Sequence, residues 1–169
     1  MKKSLFLTIF TCLLILSLST RAQSRQEIAQ YRYEIESYSE DVPKDLSVRY
    51  VRVWNYGSTV TNATANCMKN AIHGILFKGY AALSDRSVGL KPLVPEGYDA
   101  HKDYFDNFFG SAQFMQFVQL TNNGQPEPGG VVKAGRREYK VSMVVVISFE
   151  ALRNRLEKDG IIKKLDFLF

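Results

Sequence analysis

Alternating hydrophobic and polar positions predict two β-hairpins. Residues 31–35 place tyrosine and isoleucine alternately with charged residues, which is typical of a half-buried strand, although the surrounding spacing also fits a helix. Residues 46–56 are rich in β-branched and aromatic side chains and predict a long partner strand. Residues 131–133 and 138–148 predict a second hairpin. Its long arm is apolar on both faces around Val144, which indicates a central strand covered on both sides or by a partner.

Apolar residues at helical spacing predict three helices. Residues 60–77 combine this spacing with small side chains that would let a helix lie close against a sheet. An aromatic-rich helix capped by Asp99 is expected to run past Gly110, and a C-terminal helix over 149–159 to stop at Gly160. The pattern predicts a single α+β domain, with a mostly antiparallel sheet, helices packed on one face, and the C-terminal helix at its edge or second face.

The segments between these elements read as loops, apart from a final strand. Residues 79–97 contain two prolines and predict irregular structure, and residues 122–130 are rich in turn residues and predict an exposed loop. Residues 165–169 alternate apolar and other side chains, which predicts a last short strand.

The N-terminus has the pattern of an export signal. Two lysines precede an uncharged apolar run at residues 5–18, and small residues around Ala22 offer a cleavage site. The run is about 14 residues long, shorter than the roughly 20 that span a bilayer. The sequence therefore predicts a signal peptide over residues 1–22, a domain over residues 23–169, and a periplasmic or extracellular location without a transmembrane span in the mature chain.

The net charge changes with this prediction. The whole chain has a net charge of +5, from 22 basic and 17 acidic residues, but Lys2, Lys3 and Arg21 belong to the predicted leader. Their removal lowers the charge from +5 to +2. The composition therefore gives little support to nucleic acid as a partner.

The residues that usually perform catalysis or bind cofactors are sparse. Cys12 belongs to the predicted leader, so Cys67 is left alone and is expected to be a buried apolar thiol. His73 and His101 lack the spacing and companion ligands of a zinc site. The chain also lacks a phosphate-binding loop and a nucleophile elbow. We therefore expect no cofactor, and a non-enzymatic protein is favoured over an enzyme.

One helix face contains three carboxylates. Asp99, Asp103 and Asp106 are spaced so that they could face a divalent cation. The favoured interpretation is that these acids interact with the helix dipole and keep that face in water.

Aromatic and basic residues alternate on the long strands. A possible binding surface consists of Tyr50, Arg52, Trp54 and Tyr139. Arg49, Arg136, Arg137 and Lys140 could extend it into a basic stripe, as on nucleic-acid-binding sheets. Solvated strand positions are the favoured interpretation of these cations, and a polysaccharide or another anionic polymer is the functional alternative.

The order of motifs resembles small exported bacterial proteins of unassigned function, from about residue 46 to the end. The motifs are Val-Trp-Asn-Tyr-Gly at residues 53–57, an Ala-rich helix at residues 71–79, Tyr-Phe-Asp-Asn-Phe-Phe at residues 104–109, the strand from Tyr139, and the helix from Ala151. The element order is also similar to the N-terminal domain of flagellar assembly protein T and related envelope lipoproteins, which implies an assembly or scaffold role. The chain lacks the lipid-anchor cysteine of the latter group.

The leading functional hypothesis is an exported envelope protein that binds another protein or associates with itself. A small-molecule or glycan-binding protein is the alternative, and a hydrolase without a recognised motif is the third. An open pocket of clustered aromatic residues would favour the binder, a flat apolar patch the assembly module, and converging carboxylates in a cleft the hydrolase.

Overall fold

A five-stranded antiparallel sheet organises the chain. The computed structural model describes residues 31–38, 45–82 and 88–164. The strands are β1 (Tyr33–Ser37), β2 (Arg49–Gly57), β3 (Val118–Leu120), β4 (Val131–Gly135) and β5 (Glu138–Ile147). The order is β1-β2-β5-β3, and β4 pairs with the same side of β5 as β3 does. Both predicted hairpins are confirmed, and β5 is central.

Four α-helices accompany the sheet in the described residues. They are α1 (Val60–Ala65), α2 (Cys67–Phe77), α3 (Lys102–Gly110) and α4 (Phe149–Lys158). Short 3₁₀ segments lie at Asp99–His101, Gln113–Phe117 and Asn122–Gly124. The α+β class predicted from the sequence is confirmed.

One face of the sheet is packed against helices. Side chains alternate along a strand, so Val51 and Val53 of β2 lie on the same face as their partners Val145 and Met143 of β5, and all four are buried. Helix α2 contacts β1, β2, β3 and β5 on this side. A Cβ on Gly74 would lie 2.7 Å from Cδ1 of Ile35, so this glycine permits the close approach of α2 to β1. We call this side of the sheet the covered face.

Three predicted elements differ from those in the structure: the long strand, the helix over residues 60–77 and the aromatic-rich helix. The long strand begins at Arg49 because the Ser47 amide donates to Oδ1 of Asp45 over 2.8 Å, which forms a turn before β2. The helix expected over residues 60–77 is broken at Asn66, whose φ and ψ of −98° and 6° are not helical.

Helix α3 also differs from the predicted helix. Asp99 does not cap it; His101 occupies the N-cap position of α3, and Asp99 lies in the 3₁₀ turn that precedes the helix. The helix ends at Gly110, and Ala112 adopts a positive φ of 57° before the next 3₁₀ segment. The aromatic side chains expected on this segment nevertheless enter the core, since Phe105, Phe108, Phe109, Phe114 and Phe117 are all buried.

Helix α4 packs where β5 ends and β2 begins. The Glu150 amide donates to the Ser47 carbonyl over 3.0 Å, and Arg155 donates to the side chain of Gln113 over 2.8 Å. Gly160 has a φ of 73°, and the Ile161 amide returns to the Leu156 carbonyl over 2.9 Å, as expected for a Schellman ending. Of the two positions predicted for this helix, the contacts favour the one at the border of the sheet.

The described residues from Tyr33 onwards form one compact unit, and of residues 1–32 only Tyr31 and Arg32 are described. The predicted leader over residues 1–22 and the predicted strand over residues 165–169 lie outside the described residues. Within the described ranges, no helix is both long and apolar enough to cross a membrane.

Candidate functional site

The other side of the sheet has no described helix packed on it and contains polar and aromatic side chains. We call it the open face. Strand alternation places ten paired residues of β1, β2 and β5 there: Glu34, Glu36, Tyr50, Arg52, Trp54, Tyr56, Lys140, Ser142, Val144 and Val146. Glu127 reaches this face from the loop between β3 and β4. Most of these side chains bind one another, so the face is an ordered surface.

Arg52 is the centre of the open face. Its Nε lies 2.7 Å from Oε2 of Glu127 and its second terminal nitrogen 3.2 Å from Oε1, which gives the two-pronged geometry of a strong arginine–carboxylate pair. A third nitrogen donates to Oε1 of Glu36 over 3.0 Å. The hydrogen bond to Glu127, and then that to Glu36, raises the pKa of Arg52 against the opposing effect of burial. Arg52 is therefore held in one orientation.

Glu127 joins the loop to the sheet. Besides binding Arg52, it accepts a 2.6 Å hydrogen bond from the hydroxyl of Ser142, which is buried beneath it. Partial burial acts to raise the pKa of Glu127, but the hydrogen bonds from Arg52 and Ser142 outweigh it and lower the pKa overall. Glu127 is thus ionised at neutral pH, whereas a general acid in a hydrolase needs a raised pKa.

A second ion pair lies beside the first. Nζ of Lys140 is 2.9 and 2.8 Å from the two carboxylate oxygens of Glu34, and the Tyr56 hydroxyl donates to Oε1 of Glu34 over 2.6 Å. The hydrogen bond from Lys140 is the main cause of the lowered pKa of Glu34, and that from Tyr56 adds to it. The hydrogen bond with Glu34 in turn raises the pKa of Lys140. The cations of this face are therefore neutralised by acids within it.

Aromatic rings lie between these ion pairs. The indole N–H of Trp54 donates to Oε1 of Glu36 over 3.2 Å. Nζ of Lys140 lies 5.0 Å from the ring centre of Trp54 and 5.5 Å from that of Tyr56, within cation–π range. Tyr50 is 45% exposed and is the most accessible ring among these three.

The structure brings together three of the four residues predicted for a binding surface. Tyr50, Arg52 and Trp54 lie along one side of β2. Tyr139 does not join them, because it pairs with Gly57 and alternation turns it to the same side as Val141.

The predicted basic stripe is divided among different environments. Arg49 donates to the backbone carbonyls of Leu46 and Val48, and its guanidinium lies 4.7 Å from the ring centre of Phe149. Arg136 and Arg137 are exposed at the turn between β4 and β5. Arg52 and Lys140 belong to the ion pairs already described.

The three predicted carboxylates of the cation hypothesis are all exposed. Asp106 accepts hydrogen bonds from Lys102 over 2.6 Å and from the Tyr98 hydroxyl over 2.8 Å, and these bonds, that from Lys102 first, lower its pKa. Asp99 and Asp103 are exposed on the same segment. Among the described residues, no group of three or more potential ligands could hold a metal ion.

Cys67 and His73 lie in the core of the covered face. Burial raises the pKa of Cys67 to about 12, although a hydrogen bond from Asn55 acts in the other direction. The buried thiol predicted for Cys67 is confirmed. Nδ1 of His73 lies 2.6 Å from the Tyr33 hydroxyl, and burial, aided by Lys78 and Lys69, lowers its pKa to about 3. At neutral pH the thiol is protonated and the imidazole is neutral.

A groove of about 680 Å³ lies between residues 90–96 and α4. Leucine, isoleucine and proline side chains form half of its described wall, and Phe149 is the single aromatic residue there. Trp54 and the tyrosines of the open face do not line it. This groove therefore lacks the clustered aromatic residues that would favour a small-molecule binder.

Five polar and aromatic residues of the open face were outside the predicted binding surface and basic stripe: Glu34, Glu36, Tyr56, Glu127 and Ser142. The two glutamates of β1 alternate with Tyr33 and Ile35, so pairing the predicted hairpin in register would have placed them beside Arg52 and Trp54. The contact of Glu127 with Arg52 joins positions 75 residues apart, and local pattern contains no signal for it.

Comparison of the chain with models of protein families, with curated proteins and with solved structures gives no match. The assignment of function therefore depends on the open face itself.

Proposed function

We propose that this chain is a non-enzymatic protein of the cell envelope that binds another protein through the open face. The observation that supports the proposal is the combination of Tyr50, Arg52 and Trp54 on the side of β2 that no described helix covers. Tyrosine, tryptophan and arginine are the residue types most enriched at the energetic centres of protein–protein interfaces.

The ion pairs strengthen this proposal. Arg52 is oriented by Glu36 and Glu127, so little side-chain entropy would be lost when a partner covers it. Glu34 and Lys140 neutralise each other in the same way. A partner could cover these groups without supplying a matching charge for each one.

The geometry favours a protein over a glycan. Saccharides stack on open aromatic faces, but Lys140 already occupies one face of Trp54 and of Tyr56. The hydrolase hypothesis has less support, because the lowered pKa of Glu127 is opposite to that of a general acid. The assembly role implied by the sequence resemblance agrees with a binding surface of this kind.

Site-specific photocrosslinking in cells of the source organism tests the proposal. A benzophenone side chain at Tyr50 should give a discrete adduct whose mass spectrum contains peptides of one second protein. The matched control is the same group at Met115, which is 50% exposed on the 3₁₀ segment Gln113–Phe117. A saccharide adduct at Tyr50 would favour the glycan alternative. Equal adducts at Tyr50 and Met115 would reject the open face as a specific surface.

The envelope location is tested separately. Mass spectrometry of the native protein should find a chain that begins at or near Gln23 in the envelope or the medium. A cytoplasmic protein that retains Met1 would contradict the location without bearing on the binding surface.

A further inference from the structure

Strand β4 is an exposed edge of the sheet. All five of its residues are exposed, and among the described residues only β5 pairs with it. Val131 and Val132 are 43% and 47% exposed, although valine is a residue that strands usually bury. An edge with exposed apolar side chains is a template on which another extended segment can pair.

The register shows which backbone groups face outward. The Ser142 amide of β5 donates to the Gly130 carbonyl over 2.7 Å, and Val132 pairs with Lys140 two positions further along. In an antiparallel ladder the residues between such pairs direct their amide and carbonyl groups away from the partner strand. Val131 and Lys133 therefore offer donors and acceptors to an incoming strand.

The charge at this edge is positive. Lys133, Arg136 and Arg137 are exposed, and none of them makes an ion pair or a side-chain hydrogen bond with a residue that the structure describes. Arg52 and Lys140, in contrast, are fully paired on the open face. A second copy of this chain would bring the same three cations against themselves, which disfavours self-pairing.

We propose that β4 is a docking edge for an extended acidic segment of another protein, which adds to the sheet as a further strand. Backbone hydrogen bonds to Val131 and Lys133 would supply affinity, and alternating side chains of the segment would contact the exposed valines. Carboxylates of the segment would pair with the three cations. This edge borders the open face, since Val132 pairs with Lys140. The β4 backbone and the three cations take no part in the proposed function, so the inference holds or fails independently of it.

The backbone part of the inference is tested with a fluorescein-labelled peptide of about eight residues, alternating glutamate and valine, a length typical of a strand. Binding to the full chain is followed by fluorescence anisotropy. Val131→Pro removes an outward amide but no bond of the β4–β5 ladder, so the fold is retained and affinity should fall at least about tenfold. Val131→Thr keeps the amide and should bind within about twofold of the wild type. Equal binding by the proline variant and the wild type would overturn the inference.

The charge part is tested with the triple variant Lys133→Glu, Arg136→Glu and Arg137→Glu. It should lose at least about tenfold in affinity for the acidic peptide and gain affinity for a peptide in which lysine replaces glutamate. Lys158→Glu, an exposed position on α4, is the matched control and should change neither. Loss of binding with Lys158→Glu as well would show a non-specific charge effect and would contradict the inference. A dimer of the wild type in light scattering that the triple variant does not form would also contradict the inference, because β4 would then pair with a second copy.

Discussion

The two faces of this sheet use neighbouring residues of the same strands in different ways. On the covered face, Val51 and Val53 of β2 are fully buried among apolar partners. On the open face, Tyr50, Arg52 and Trp54 alternate with these valines in sequence and contact charged groups and solvent. Since both sets share one backbone, the difference lies in side-chain chemistry alone. The covered face stabilises the fold, and the open face presents an ordered surface for binding.

The largest expected contrast comes from placing a carboxylate on each face. Val145→Asp would bury a charge among apolar side chains and should destabilise the protein by more than about 4 kcal/mol, enough to unfold a typical domain. Val146, the next residue, lies on the open face, and Val146→Asp should lower the free energy of unfolding by less than about 1 kcal/mol. Urea denaturation of both variants measures the difference. Similar losses for both variants would show that the open face is packed as tightly as the covered one.

The burial of His73 on the covered face predicts that the protein loses stability in acid. His73 has a pKa of about 3 in the folded protein against an ordinary value of 6.5. Below pH 6.5 the unfolded chain therefore takes up a proton that the folded protein excludes, and stability falls as the pH is lowered towards 3. The slope from this group approaches about 1.4 kcal/mol per pH unit.

The contribution of His73 is isolated by comparing a variant with the wild type. His73→Gln should show a shallower fall in the free energy of unfolding between pH 6 and pH 4 than the wild type. An NMR titration of the His73 imidazole in the wild type adds a direct check that needs no variant. A His73 signal that titrates near pH 6.5 would contradict the burial argument.

On the open face, substitution should have a smaller effect. Glu127→Gln removes the charge that binds Arg52 and Ser142 and should lower the free energy of unfolding by about 1 to 2 kcal/mol, because the pair is only partly exposed. Glu96→Gln changes an exposed glutamate and should have almost no effect. Thermal and urea unfolding measure both. No loss with Glu127→Gln would mean that the loop is held to the sheet by other contacts.

The smallest effect is expected at the exposed carboxylates of α3. Asp103→Asn should change stability by less than about 1 kcal/mol. Added calcium or magnesium should leave the melting temperature of the wild type unchanged, since ligand binding to the folded state would raise it. A clear metal-dependent rise would instead support a cation site at Asp99, Asp103 and Asp106.

Local pattern was sufficient for the elements with a strong period. The alternation in β1 and β5 predicted both hairpins and the buried side of each strand, and Gly160 predicted the end of α4. The pattern did not locate the break at Asn66, because the flanking apolar residues keep one helical spacing across both helices.

The candidate site was predictable only in part. Tyr50, Arg52 and Trp54 alternate on one strand, so their shared face followed from a period of two. Tyr139 was assigned to the wrong face because the face that a β5 residue shares with β2 depends on the register between the two strands. A shift of one residue in that register moves a side chain to the opposite face. Glu127 comes from a loop, and its position depends on the tertiary contact with Arg52 rather than on a local pattern.

The most direct test of the central claim combines binding and stability in one variant. Tyr38 and Tyr50 lie next to each other, since the Tyr38 amide donates to the Tyr50 carbonyl over 3.1 Å, and both rings are exposed. The measurement is the yield of the protein adduct from a benzophenone at Tyr38, with and without Tyr50→Ser, and with Met115→Ser as the control. Our account predicts that Tyr50→Ser lowers the yield at least about tenfold while the free energy of unfolding changes by less than about 1 kcal/mol. An unchanged yield would contradict the assignment of binding to the open face.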